Sequence, residues 1–421
     1  MKKFLSLALA LCLAVSMAAC GGSASSSAAA SDAASAAVSG SAASAGAIKI
    51  GVSGPLTGSA AQYGEGVANG VQLAVEEINA MGGIQFEYRA EDDVADPESA
   101  VNAYNTLMDW GMQLFAGTVT SDACIAAAEL ANEDNVFMMT PSATAVEAIA
   151  YPNAFRMCFS DPNQGAASAQ YIGDHQLATK VAVIYDSSST YSSGIYENFA
   201  AAAADNGFEI VAAEAFTSDS NQDFSVQLQA AQSAGAELVF LPIYYSEASL
   251  ILSQANTMGY APQFFGCDGL DGILNAENFD TSLAEGVLLL TPYVPGVDEV
   301  TTEFTEKYTE KFGIAPNQFA ANAYDVVYAM KAACEAAGVT ADMSASDICD
   351  AILGVIGDVE ISGVTGASIS WDAESGEPNK EPRAVVIRDG AYTAPNDAAD
   401  AQEAPAEDAS SVAAESVSEA A

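Results

Sequence analysis

Residues 48–84 read IKIGVSGPLTGSAAQYGEGVANGVQLAVEEINAMGGI. A short apolar run from Ile48 to Val52 enters a glycine-rich stretch, and then Val67, Val71, Ala74, Val75 and Ile78 recur at helical spacing. Gly82 and Gly83 stop the helix. Strand, glycine loop and helix is an arrangement that holds phosphate, but the phosphate chemistry fails here. A Walker loop ends in Gly-Lys-Ser/Thr, and no lysine lies between Lys49 and Lys180. A dinucleotide GxGxxG starting at Gly64 needs glycine at 69, where Asn69 stands, and Glu65 would repel an anion. The stretch therefore takes another ligand or none, and Tyr63 becomes its most informative side chain.

Outward from this stretch, strand-like and helix-like segments alternate. Phe86–Arg89 is followed by Asp96-Pro97, a cap with proline at the first helical position. Leu114–Ala116 precedes GTVTSDACIAAAELANEDN, with Ser121 placed as a helix cap, and VFMMTPSAT is a strand ending in a turn. A second series begins near Tyr171 and has strands KVAVIYD, FEIVAAEAF, ELVFLPIYY and QFFGCDG, with helices between them. Helices over 299–312 and 319–337 and a strand at RAVVIRDG complete the pattern. Such alternation predicts an α/β fold, two lobes of parallel sheet flanked by helices.

The ends differ in kind. MKKFLSLALALCLAVSMAAC has two lysines, an apolar run too short to span a bilayer and small residues before Cys20, so residues 1–20 read as a secretory signal. Its close resembles the lipobox of bacterial lipoproteins, which implies lipidation at Cys20 and a membrane-anchored, extracytoplasmic protein. Residues 21–47 are Ser/Ala/Gly-rich and read as a tether, and residues 394–421 as an acidic tail without order. Of 421 residues, 12 are basic and 56 acidic, for a net charge of -44. That balance excludes nucleic acid, whose phosphates need a Lys/Arg surface. Five cysteines remain after Cys20; the odd number argues against a complete disulfide set, and buried free thiols are expected, with a Cys334–Cys349 pair left open.

Catalytic motifs are missing. His175 is the single histidine, so no histidine-based triad can form, and no HExxH occurs. Glu76-Glu77 reads as a solvated helix face, and EDDVADPE lacks EF-hand spacing. No enzyme activity, metal or cofactor is expected. What remains are hydroxyls, aromatics and one acid at the ends of strands: Tyr63; Ser121; Ser142 and Thr144; Tyr191; Tyr244; and Asp268. Ligands of open parallel sheets sit at those ends. Ser121 and Thr144 open helices, where backbone N–H groups favour an anion, and Asp268 offers the opposite charge. The combination suits a small zwitterion such as a free amino acid. Each residue also has an ordinary structural use, as a cap, a turn or a core aromatic.

The opening stretch, together with TPSAT, DFSVQLQAAQSAGAELVFL, QANTMGY and WDAESG in that order, resembles the branched-chain amino acid substrate-binding proteins of ABC transporters, a type I periplasmic-binding-protein family, over residues 48–392. The resemblance implies two Rossmann-like lobes joined by three crossovers, 48–162 with 292–363 and 163–291 with 364–393, closing on ligand by hinge motion. It implies that Ser121 and the turn 140–144 hold a ligand carboxylate, through the backbone N–H of Ser142 and the hydroxyl and N–H of Thr144. It further implies that Tyr191, Tyr244 and Asp268 serve the ammonium, and that Tyr63 and Phe319 form an aromatic wall. The partners implied are an amino acid, most readily an aliphatic one, and an ABC import permease, with the binding protein a monomer. Two departures stand out. Leucine-binding members often carry glutamate at the Asp268 position, which leaves the ligand's identity open. The disulfide of some members is absent, Asp96 and Thr120 standing near its places. A ligand-sensing receptor for a small amide or amino acid is the competing function on the same fold.

Overall fold

The computed structural model describes residues 46–395. The proposed signal, the lipidation site Cys20, nearly all of the tether and nearly all of the tail lie outside the described residues.

The first sheet has five parallel strands: β1 (Ile48–Gly54), β2 (Phe86–Asp92), β3 (Leu114–Phe115), β4 (Met138–Thr140) and β5 (Ala154–Arg156), in the order β2-β1-β3-β4-β5. Helices α1 (Ala61–Met81), α2 (Pro97–Trp110) and α3 (Ser121–Glu133) connect them. Asp96 caps α2 by accepting from Ser99 N, as Asp-Pro predicts. The cap of α3 is Thr120, in extended conformation, and Ser121 is already helical.

Helix α4 (Asp161–Asp174) leads into the second sheet. There β6 (Lys180–Asp186), α5 (Thr190–Ala203), β7 (Glu209–Phe216), α6 (Ser225–Ser233), β8 (Leu238–Leu241), α7 (Tyr245–Met258), β9 (Gln263–Gly266) and β10 (Leu288–Thr291) alternate in parallel. Strands β8 and β10 are buried along their whole length, as strands covered on both faces must be. The chain then returns to the first lobe with α8 (Glu299–Phe312), α9 (Gln318–Ala337), α10 (Ala345–Leu353) and a small hairpin of β11 (Glu360–Ile361) and β12 (Ile369–Ser370). It ends as β13 (Arg383–Arg388) and β14 (Ala391–Thr393), an antiparallel edge on the second sheet, whose order is β14-β13-β10-β9-β8-β6-β7.

Two expectations shift. Residues 364–380 do not belong with the second sheet: Val364 N and Thr365 N donate to Asp325 on α9 at 2.8 Å, and Trp371 Nε1 donates to Arg156 O of β5 at 2.8 Å. Buried donors and acceptors on α9 and β5 hold this segment, so the last crossover follows Lys380, itself bonded to Asn322 Oδ1. The glycines of the opening stretch also differ from a loop role. Helix α1 begins at Ala61, so Gly64 and Gly70 are helical. A Cβ on Gly64 would lie 2.1 Å from Pro55 O, and one on Gly70 would lie 2.2 Å from Ala320 O of α9. They are there for close packing.

All five remaining cysteines, Cys124, Cys158, Cys267, Cys334 and Cys349, are buried free thiols. The acids of EDDVADPE are spent on the protein's own donors: Asp92 on Leu56 N, Thr57 and Val94 N, and Asp93 on Ser53 Oγ and Ala95 N.

Candidate functional site

Strand order reverses between β1 and β3 in one sheet and between β6 and β8 in the other. Crevices open at such switch points, at the carboxyl ends of the strands. Tyr63 follows β1, Ser121 follows β3, Tyr191 follows β6 and Tyr244 follows β8. The chain thus delivers four of the expected residues to the two switch points; Ser142 and Thr144 follow the adjacent β4, and Asp268 follows β9.

Five expected residues form one continuous chain of contacts. Phe319, second residue of α9, stacks on Tyr63 with centroids 4.2 Å apart. Tyr63 meets Tyr244 edge-on at 5.5 Å, and Tyr244 stacks on Tyr191 at 5.0 Å. The Tyr191 hydroxyl donates to Asp268 Oδ1 at 2.8 Å and accepts from Gly269 N at 3.0 Å. The path runs from the first lobe into the second, so the lobes are closed on one another. The Tyr63 hydroxyl donates to Gly269 O and accepts from Tyr245 N. Gln318 adds a clasp, its N–H on Asp271 Oδ2 at 2.7 Å and its side chain on Asp268 O at 2.8 Å.

Ser121, Ser142 and Thr144 form a second group. Ser121 Oγ accepts from Ala145 N at 3.2 Å, which stitches the start of α3 to the 140–145 turn. Ser142 is more committed than expected: its hydroxyl donates to Val119 O and its N–H to Thr140 Oγ1 at 3.3 Å. Thr144 is fully buried and its hydroxyl has no hydrogen-bond partner. The first turn of α4 joins this group to Asp268: Asp161 N donates to Thr144 O at 2.9 Å, and Gln164 Oε1 accepts from Asp268 N at 3.0 Å. Around this junction Thr118 Oγ1, Thr120 Oγ1, Asp161 Oδ1 and Gln164 Nε2 are also buried without partners. Native proteins rarely leave such atoms unpaired without a use for them.

Burial pushes the Asp268 carboxyl up to about 6, against the Tyr191 hydrogen bond that favours its charge. Burial raises the phenols of Tyr63 and Tyr191 well above their ordinary value, so both stay neutral. Arg156 is a residue that motif reading passes over. Wholly buried on β5, its Nη1 donates to Ala143 O at 3.2 Å and Thr144 O at 2.5 Å, and its Nη2 to Ala145 O at 2.9 Å. Glu377 lies 3.3 Å from its Nε. Three carbonyls are therefore held by one cation, which fixes the turn and adds positive charge to the anion-favouring edge. The signal in sequence was a lone arginine inside the apolar run NAFRMCF.

The family model for periplasmic binding proteins matches residues 47–391, more than half of the chain and both sheets. This chain belongs to the periplasmic binding protein family. Among the family's proteins, it is 33% identical over 322 residues to the Leu/Ile/Val-binding protein homolog 3 of Brucella melitensis, covering 75% of this chain and 86% of that one. It is 30% identical to the leucine-, isoleucine-, valine-, threonine- and alanine-binding protein of Pseudomonas aeruginosa, covering 69% and 79%. A solved periplasmic binding protein, the branched-chain amino acid transporter substrate-binding protein LivJ of Streptococcus pneumoniae in complex with isoleucine, superposes with a TM-score of 0.73 at 28% identity, over 83% of this chain and 98% of that one.

Proposed function

We propose that this periplasmic binding protein captures a free amino acid between its lobes and hands it to an ABC import permease outside the cytoplasm. The observation that carries this reading is the placement of opposite charge preferences on the two sides of α4's first turn. Asp268, oriented by Tyr191, offers a carboxylate to an ammonium. The Ser121–Thr144 edge, braced by Arg156, offers hydroxyls and a cation's field to a carboxylate. Tyr63, Phe319, Tyr244 and Tyr191 exclude water between them, which strengthens both charged contacts. The named relatives support the ligand class, since those proteins are described as binding leucine, isoleucine and valine. The reading involves binding without bond-making. Tethering through a lipidated Cys20 belongs to it as a separate expectation.

A thermal-shift screen against the natural amino acids and small neutral amides tests it. A ligand at 100 times its dissociation constant should add about 2.7 kcal/mol of stability. Stabilisation by zwitterions supports the reading; stabilisation by neutral amides alone would point to an amide receptor instead.

A further inference from the structure

A cavity of about 410 Å³ opens between the lobes beside Thr144, within the range of about 300–1,000 Å³ common for ligand pockets. Glu147 of the first lobe, Asp161 of α4, and Ser187, Ser189, Thr190 and Glu197 of the second lobe are among its lining. No lysine, arginine or histidine lines it, and its apolar members are Val146, Pro162 and Gly194. In so acidic a chain the exposed Glu147 and Glu197 carry little information by themselves. Asp161 is different: it is 2% exposed, lines the cavity, and its Oδ1 has no hydrogen-bond partner. A buried carboxylate oxygen without a hydrogen-bond partner is costly, and a cation in the adjoining cavity would relieve it.

Resting on the amino-acid reading above, we infer that this cavity takes a second positive charge carried on the ligand's side chain, so that the site suits a basic amino acid with an ammonium or guanidinium head. The geometry gives each end of such a ligand its place. The carboxylate lies at the Thr144 edge and the α-ammonium at Asp268. The side chain runs past the Thr144 carbonyl, which Asp161 N already holds, into the cavity. Asp268 adds to the rise of the Asp161 carboxyl, so the two acids share one buried region, one able to face each of the ligand's two cations. Burial, with the charges of Asp268 and Glu147 adding to it, pushes Asp161 well above the usual carboxylate range, against the Thr144 side chain and the Arg156 charge, which favour its ionised form. The serine and threonine hydroxyls along the wall supply acceptors for the remaining N–H groups of such a head.

The test is calorimetric titration of the purified full chain with lysine, arginine and ornithine against leucine and isoleucine. The expected result is binding of at least one basic amino acid at least tenfold tighter than leucine. In Asp161→Asn the basic ligand should lose at least tenfold while leucine changes less than threefold. Glu147→Lys, on the exposed rim and safe for folding, should weaken the basic ligand selectively in the same sense. Leucine binding with no response to any basic amino acid overturns the inference and leaves the amino-acid reading standing. Equal loss of both ligands in Asp161→Asn, with no selective effect of Glu147→Lys, also overturns it. Absence of binding by every amino acid overturns the amino-acid reading and this inference with it.

Discussion

The Tyr191 hydroxyl and the Asp268 carboxylate, 77 residues apart in sequence, meet at 2.8 Å in a fully buried hydrogen bond. Tyr191 stands at the start of α5 and Asp268 just past β9, so the bond depends on both strand ends being brought to one crevice. It aims the carboxylate, and because burial keeps the phenol protonated, the tyrosine acts only as donor toward it.

Replacing that carboxylate tests its part in binding. Asp268→Asn keeps the shape and an acceptor for Tyr191 but removes the charge. Truncating one side of a buried charge pair costs about 2–5 kcal/mol, so zwitterion affinity should fall on the order of 30-fold or more with the melting profile of the free protein nearly kept. Calorimetry that finds unchanged affinity would remove Asp268 from the ammonium site.

The same group sets a pH dependence. With its carboxyl pushed up to about 6, Asp268 must lose a proton to meet an ammonium at lower pH. Affinity should be flat above about 6 and fall toward tenfold per pH unit below it. Stability of the free protein runs the other way. Asp268 and Asp271, both raised to about 6 by burial, bind protons in the folded state that the unfolded chain has released. Their contribution is therefore most favourable below about 4 and is lost as pH rises to about 6. Denaturant titrations of the wild-type and Asp268→Asn proteins at pH 4, 5, 6 and 7 should show a shallower fall in the variant; identical slopes contradict the assignment.

Arg156 should prove structural and functional together. Arg156→Met strands three buried carbonyls and leaves the half-buried Glu377 unpaired, and each buried acceptor left unsatisfied costs about 1–3 kcal/mol. Arg156→Lys should recover little, since one ammonium cannot fork across Ala143, Thr144 and Ala145. Chemical denaturation measures the first effect and ligand titration the second. A lysine variant with full stability would show that the fork is dispensable.

The contact of α1 with α9 can be tested at one carbon. Gly70→Ala places a methyl 2.2 Å from Ala320 O, against backbone that has no rotamer to yield. Overpacking of this kind costs about 1–3 kcal/mol. Because α9 carries Phe319 against Tyr63, a shift of α9 should also weaken ligand binding. A neutral outcome in both measurements would show that the helices can part without consequence.

Much of the architecture was legible because its signals are local. KVAVIYD and ELVFL are apolar runs of strand length, and Asp96-Pro97 is a start signal whose atoms all lie within one turn. Helix α4 was not legible. Its sequence DPNQGAASAQYIGD has few large apolar residues, because Gly165 lets it lie against α5, with a Cβ there only 2.5 Å from Ile195 O. A helix that packs through small residues hides the periodicity by which helices are recognised. The last strand β14 and the short β5 escaped notice for a related reason: strands this short carry too few residues to show a period.

The amino-acid sequence alone determined the alternation of strands and helices, the unsuitability of the glycine stretch for phosphate, and the identity of the hydroxyls, aromatics and acid at strand ends. Those follow from composition, spacing and bonding within a few residues. Only the tertiary structure decided that Gly64 and Gly70 serve packing, that residues 364–380 belong with α9 and β5, that Arg156 braces the turn, and that Asp161 faces a cavity with one oxygen unpaired. Each of these depends on what a distant segment places within a few ångströms, and burial then converts that proximity into energy by removing water as an alternative partner.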